Sequence, residues 1–324
     1  MNTDADALSN ILQVVHLTSA VFFNAKFTAP WCYASPPSSA VIPHLAPGAD
    51  HLVIYHLISE GECFARVEGA DPVKLTAGDL VIFPHGDAHR VGTDFNARTA
   101  RPERTLELLR KRGLRLVQYG GGGAITRFVC GYLACDLALC RGLLDALPPV
   151  VRVPLRRDGA ADWLEASIRY AVDEARLPRP GGRAVLAKLS EVLFVEALRR
   201  YLDSLPADQT GWLAGLRDRH VGRALALLHA RPSHRWTVDR LAREIGCSRS
   251  ILAARFTHFL GRPPMHYLTH WRLTLAATAL RASRASVLSI AQQVGYETDA
   301  AFIHAFKREF GVPPAEWRRR QRQS

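Results

Sequence analysis

The sequence predicts an α+β chain: an N-terminal β-barrel, a helical connecting region and an all-α C-terminal domain with two helix-turn-helix units. Three observations carry this. Short β-rich runs broken by Gly, Pro and Asp fill much of the first half. A long apolar helical run lies near the middle. The last third holds two copies of one pattern, a short amphipathic helix, a Gly turn and a second helix. The expected bounds are 1–147, 148–217 and 218–324.

At 324 residues the chain has room for two or three domains, and 48% hydrophobic residues support packed cores. It lacks a run of about 18 apolar residues, which argues against a membrane span. Met1-Asn2-Thr3-Asp4-Ala5-Asp6 is not the basic start of a signal peptide. Six cysteines in a chain this large do not make a disulfide framework. The expected setting is cytoplasmic and reducing.

A short helix is expected at Ala7–Leu17. Leu52–Leu57, Cys63–Val67, Val73–Leu75 and Leu80–Phe83 read as strands, with turns at Gly61 and Ala77–Asp79 and a stop at Pro84-His85-Gly86-Asp87. A charged loop, Arg101–Arg115, precedes Gly120–Gly123 and a late strand at Ala124–Leu133. The four glycines lack the Lys-Ser/Thr pair and the following helix of a phosphate loop. They read as a flexible lead-in to the strand.

Gly78, Pro84, Gly86 and His89 have the spacing of the second cupin motif, and His56, Glu62 and Gly69 fall in register with the first. The N-terminal region therefore resembles a cupin. Ile58 stands where the first motif carries another metal-binding His, and the Asn that ends the second motif is missing. In metal-binding cupins two His, a Glu and a distant His converge inside the barrel; three of those four positions are kept here. Two readings stay open. In one, His56, Glu62 and His89, helped by Cys130, hold a divalent metal such as Zn. In the other they are satisfied by hydrogen bonds in a pocket with a different use, which the missing ligand favours. Cys130, Cys135 and Cys140 would form a redox sensor if two thiols approached, but their apolar neighbours also suit ordinary buried cysteines.

Pro148-Pro149 and Pro154 close this region. Trp163–Glu174 reads as an amphipathic helix and Val185–Leu198 as a long one whose apolar residues nearly encircle it. That helix needs cover, from the barrel or from a second copy of the chain in a homodimer.

In the last third, Val221–His229 is the expected first helix. Thr237 caps the next, whose apolar side is Val238, Leu241, Ala242 and Ile245, and Gly246 turns the chain. Ser248 caps a recognition helix running to about Leu260, with Leu252 and Phe256 inward. Ser250, Ala253 and Ala254 then face a DNA groove, and Arg249, Thr257 and His258 lie within reach of its backbone. Tyr267–Leu280 joins the halves, with Arg272 a candidate phosphate contact. In the second copy Ser289 or a neighbour starts the support helix, Thr298 is the candidate cap, and Phe302 and Phe306 face inward. Asp299, Ala300, Ile303 and His304 approach the groove, and Lys307 and Arg308 clamp the backbone. Charge agrees with this placement. Residues from Arg219 to Ser324 hold 18 Lys and Arg against 6 Asp and Glu, whereas Met1 to Asp218 hold 24 against 24. The whole net charge of +12 sits in the helix-turn-helix segment, as a phosphate-contacting footprint would.

Ser289-Ile290-Ala291-Gln292-Gln293-Val294-Gly295-Tyr296, then Phe302, Phe306-Lys307-Arg308, Phe310-Gly311 and Pro313-Pro314, resemble the C-terminal domain of AraC/XylS transcriptional regulators. Cys130-Gly131-Tyr132, Leu143–Pro148 and Gly211-Trp212-Leu213 extend the likeness to the subgroup with a cupin sensor. The resemblance implies paired recognition helices in adjacent major grooves of double-stranded promoter DNA. It also implies contact with RNA polymerase, control by a small-molecule or redox effector, and a place on the nucleoid. Five of the six groove positions carried over are small or acidic, so phosphate contacts and DNA shape are expected to weigh more than bidentate base contacts. The alternatives are a metal-dependent cupin enzyme fused to a DNA-targeting domain, and a structural nucleoid binder. Turnover would mark the first and sequence-blind affinity the second.

Overall fold

The computed structural model describes residues 8–9, 12, 18–100, 116–155, 166–167, 170, 173–174, 179–206 and 208–321. The helices expected at Ala7–Leu17 and Trp163–Glu174 lie mostly outside these residues, and the loop Arg101–Arg115 wholly outside. The chain divides into two compact units. One comprises His16–Leu137 and Leu147–Ser204; the other comprises Leu205–Ser324 with short pieces at Met1–Val15 and Ala138–Ala146.

The β-rich runs form β1 (Thr18–Thr28), β2 (Cys32–Ser35), β3 (His51–Glu60), β4 (Glu62–Val67), β5 (Val73–Thr76), β6 (Asp79–Phe83), β7 (His89–Gly92), β8 (Thr99–Ala100), β9 (Leu116–Gly120), β10 (Ile125–Cys135) and β11 (Val151–Pro154). They make two mixed sheets, ordered β11-β6-β3-β10-β1-β9 and β5-β4-β7-β2-β8. Most pairs are antiparallel, while β1–β9 and β2–β8 run parallel.

The expected β-barrel is not formed. Among the described residues neither sheet closes on itself: β11 and β9 end one sheet, β5 and β8 the other. The reason lies in the side chains between them. Phe27, Ile54, Phe83 and Phe128 of the first sheet share one core with Tyr33, Ala65, Leu75 and Val91 of the second, with Trp31 among them. Burying both inner faces in this layer removes the need for edge closure.

Alternation along each strand sets which side chains enter the layer. On β3, Leu52, Ile54, His56 and Ile58 point in, and Tyr55 points to the other face. There the Tyr55 hydroxyl hydrogen-bonds Ser190 of the helix Gly182–Ser204, and Leu193 and Phe194 of that helix cover Leu80 and Ile82. This is the cover its apolar circumference required. Val185 and Val192 remain exposed on its opposite side.

With the preceding helices Ser38–Leu45 and Leu137–Leu144 as α1 and α2, and Gly182–Ser204 as α3, the second unit continues as α4 (Trp212–Arg217), α5 (Arg219–Ala230), α6 (Val238–Ile245), α7 (Arg249–Leu260), α8 (Pro264–Ala282), α9 (Val287–Gln293), α10 (Asp299–Phe310) and α11 (Pro314–Gln321). α6–α7 and α9–α10 are the two helix-turn-helix pairs. Among the described residues no helix is long and apolar enough to cross a membrane.

Candidate functional site

Each helix-turn-helix is built from caps and a buried seam. The Thr237 hydroxyl accepts from the Arg240 amide at the start of α6, and the Ser248 hydroxyl accepts from Ile251 at the start of α7. Between them Gly246 adopts a left-handed φ of 77°, which an L side chain enters only at a cost. Leu241, Ala242 and Ile245 meet Leu252 and Phe256 inside. In the second pair Ser286, three residues before Ser289, caps α9, and Thr298 caps α10 by accepting from Ala301. Phe302 and Phe306 are fully buried against Ile290, Ala291 and the inner side of α8.

The outer faces follow from these inner ones. On α7, Arg249, Ser250, Ile251, Ala254, Thr257 and His258 are exposed and Ala253 is half-buried. On α10, Asp299, Ala300, Ile303, His304, Lys307 and Arg308 are exposed. The residues expected to face a groove therefore share one side of each helix. Arg249 makes an exposed 3.4 Å pair with Asp239 across the first unit.

Two anchors hold this unit together, one missed in the sequence and one named there for another role. Asp218, only 4% exposed at its side chain, accepts from the His220 and Val221 amides at the start of α5 and from the Arg255 guanidinium on α7. Burial alone would raise its pKa, but Arg255 and the two amides outweigh burial and leave it below the usual carboxylate range. It thereby ties the first recognition helix to the helix behind it. A carboxylate immediately before a helix was the available signal. The second anchor is Arg272. Its Nε donates to the Pro232 carbonyl at 2.6 Å and its Nη2 to the His234 carbonyl at 2.8 Å. The guanidinium holds the turn between α5 and α6. Gly295, at φ 90°, lies directly against that turn: a Cβ there would stand 2.7 Å from Ser233 Cα and 3.0 Å from Arg272 Nη2. Across the same junction Arg235 pairs with Glu297 at 2.9 Å. The two helix-turn-helix pairs are thus braced against each other.

In the sheet unit the fold brings together His56, His89 and Cys130 and leaves Glu62 outside. Glu62 precedes the inward Cys63 on β4, so alternation puts it on the outer face, where it pairs with Lys74 at 2.9 Å. Inside, the His89 Nδ1 lies 2.9 Å from the Asp87 carbonyl, His56 Nε2 lies 2.8 Å from His89 Nε2, and His56 Nδ1 touches the Cys130 sulfur. Hydrogen-bond logic fixes the protons. A carbonyl only accepts, so His89 Nδ1 donates; His89 Nε2 must then accept from His56 Nε2–H, and His56 Nδ1 accepts from the Cys130 thiol. Burial and the neighbouring His89 hold His56 well below the usual imidazole range. Burial likewise pushes His89 down to about 4 against the raising effect of the Asp87 carbonyl. Burial pushes the Cys130 thiol up. The result is a neutral one-way chain.

This arrangement does not fit the metal that the cupin motif implies. His56 spends its two ring nitrogens on two partners, so three donors cannot converge on one ion. Among the described residues no cluster of three or more His, Cys, Asp and Glu side chains is disposed to hold a metal. Cys130 and Cys135 lie on one strand at odd separation and therefore face opposite sides of the sheet. All six cysteines are free thiols.

Two family models match the chain. One is described as cupin and spans residues 6–203; the other is a helix-turn-helix domain spanning 241–320. An AraC-like transcription regulator of Streptomyces lividans is 36% identical over 282 residues, covering 84% of this chain and 88% of its own. The HTH-type transcriptional regulator AlkR of Acinetobacter baylyi is 27% identical across 97% of this chain and 99% of its own. The RCS-specific HTH-type transcriptional activator RclR of Escherichia coli is 26% identical across 98% and 99%. These relatives are transcriptional regulators and not enzymes.

Proposed function

The chain belongs to the AraC/XylS-type helix-turn-helix transcriptional regulators that carry an N-terminal cupin domain, and from that DNA-binding role we propose how it meets promoter DNA. α7 and α10 enter successive major grooves, held in register by the Arg272 and Gly295 brace. Ser250, Ala253, Ala254, Asp299, Ala300 and His304 face base edges. Arg249, Thr257, His258, Lys307 and Arg308 face the phosphate backbone. The observation that carries this reading is the pair of capped helices with buried Leu252/Phe256 and Phe302/Phe306 seams and exposed opposite faces. Restriction of the entire net positive charge to the same segment supports it.

Residues 218–324 act as the DNA-binding domain, 1–147 as the sensor and 148–217 as the connecting region. A small-molecule or redox effector acting on the sensor shifts the population competent to engage DNA and RNA polymerase on the nucleoid. The exposed Val185 and Val192 on α3 support pairing with a second copy of the chain.

Competition binding of the full chain against a randomised duplex pool at several salt concentrations tests the reading. Arg308→Ala weakens binding to all sequences by a similar factor and lowers the salt slope by about one. His304→Ala changes the preferred sequence. A folded chain with no salt-dependent binding overturns the DNA assignment, and an unchanged preference in His304→Ala removes its reading role.

A further inference from the structure

The outer face of each recognition helix carries one large apolar side chain in water. Ile251 on α7 is 46% exposed and Ile303 on α10 is 37% exposed. From Leu205 to the last described residue the other exposed large hydrophobic is Leu288, so two of three lie on the helices assigned to DNA. Neither packs in the seam: Leu252 and Phe256 fill it on one helix, Phe302 and Phe306 on the other. At helical spacing Ile251 shares its stripe with Ala254 and His258, and Ile303 shares its stripe with Ala300 and Lys307. Small alanines beside each isoleucine let it project without obstruction, and Lys307, one turn on from Ile303, draws that helix toward a polyanion. β-branching leaves isoleucine few χ1 choices in a helix, so immobilising it at an interface costs little.

The major groove offers one apolar handle, the C5 methyl of thymine; every other base-edge group there is a hydrogen-bond donor or acceptor. We infer that Ile251 and Ile303 are specificity-determining residues that read thymine methyl groups, one in each half of the DNA site. The inference rests on the DNA-binding reading above. It also predicts asymmetry. When Leu252 is aligned with Phe302, Ile251 falls on Ala301 and Ile303 falls on Ala253, so the two isoleucines flank the inward residue on opposite sides. The two half-sites then differ in where the methyl-dependent thymine lies.

The test changes the DNA before the protein. A duplex selected by the full chain from a randomised pool is remade with single thymines replaced by deoxyuracil, which keeps base pairing and removes only the methyl. Burial of one methyl-sized group translates to about fourfold in affinity. The wild-type chain is expected to lose about that factor at one thymine in each half-site. Ile251→Ala is expected to become indifferent to one of these replacements and Ile303→Ala to the other, each staying sensitive to its partner's. If the wild type binds with normal salt dependence and ignores every replacement, the methyl inference is overturned and the DNA reading stands. If all three proteins lose affinity equally, some other group contacts the methyls and the inference is again overturned. Absence of salt-dependent binding to any duplex would instead overturn the DNA reading itself. Both isoleucines are surface residues, and the deoxyuracil series with the unaltered chain stands whether or not a variant folds.

Discussion

Gly246 and Gly295 end the support helices of the two helix-turn-helix pairs, and replacing each by alanine separates two costs. Both have left-handed backbone, φ 77° and 90°, so either alanine bears a conformational cost of about 1 kcal/mol. At Gly246 the new Cβ meets nothing within 4 Å, and the cost stops there. At Gly295 it would meet backbone, Ser233 Cα at 2.7 Å and the Ser233 carbonyl oxygen at 2.8 Å, besides Arg272 Nη2 at 3.0 Å. A backbone neighbour cannot rotate away, so the turn must move, at an overpacking cost of about 1–3 kcal/mol. Moving the turn also weakens the bonds from Arg272 to Pro232 and His234, each charge-assisted. Gly246→Ala is therefore expected to lose about 1 kcal/mol and Gly295→Ala about 3 kcal/mol. Native-state hydrogen exchange of the α6–α10 amides in the full chain reads this locally, without requiring the two units to unfold together. Promoter affinity should fall further in Gly295→Ala, because the brace between the recognition helices is what it strains. Equal losses in the two variants would refute the argument that Gly295 is a packing site as well as a turn.

Asp218→Ala removes the α5 cap and the carboxylate that Arg255 engages, and should cost about 3 kcal/mol from the cap and the charged hydrogen bonds together. Asp218→Asn, which keeps an acceptor for the amides, should lose less in urea unfolding; an equal loss would mean that the Arg255 bond, and not the cap, dominates. The sheet unit should carry an acid sensitivity set by His89. An unfolded imidazole titrates near 6.5, whereas burial puts folded His89 at about 4, so between these values only the unfolded chain takes up the proton. Stability is then full above about pH 6.5 and declines toward pH 4 by about 3 kcal/mol from this group. His56, depressed for the same reason, adds to the loss in the same direction. Urea midpoints against pH for wild type and His89→Gln check it: the difference between the curves should shrink as pH falls, and parallel curves would contradict it.

Local chemistry made the helical unit readable from the sequence. Thr237, Ser248 and Thr298 cap the helices they were expected to cap, and the apolar spacing of Leu252–Phe256 and Phe302–Phe306 identified inner faces without any tertiary knowledge. Signals that act over a few residues survive in a linear reading. The sheets differ because closure depends on distant pairing. Strand β1 lies beside β10, with Thr18 opposite Ala134, and nothing in either segment announces that neighbour. The hold of Arg272 on the turn between α5 and α6 was hidden for the same reason, since the carbonyls that it binds belong to a turn far earlier in the chain. Glu62 was legible and overlooked. Cys63, Ala65 and Val67 mark the inward positions of that strand, and an acid preceding Cys63 must face outward.

The division of labour within α10 bears on how such a protein changes its address. Phe302, Ala305 and Phe306 fix the helix to the domain, whereas Ala300, Ile303 and His304 touch little of it. Substituting exposed positions away from special contacts typically alters stability by no more than about 0.5 kcal/mol. The side assigned to DNA can therefore be rewritten without trading against the fold. A duplicated copy of this chain could drift to new promoters one substitution at a time, folding normally at every step. For an engineer the same separation makes Ala254 and Ala300 the first positions to randomise when a different operator is wanted.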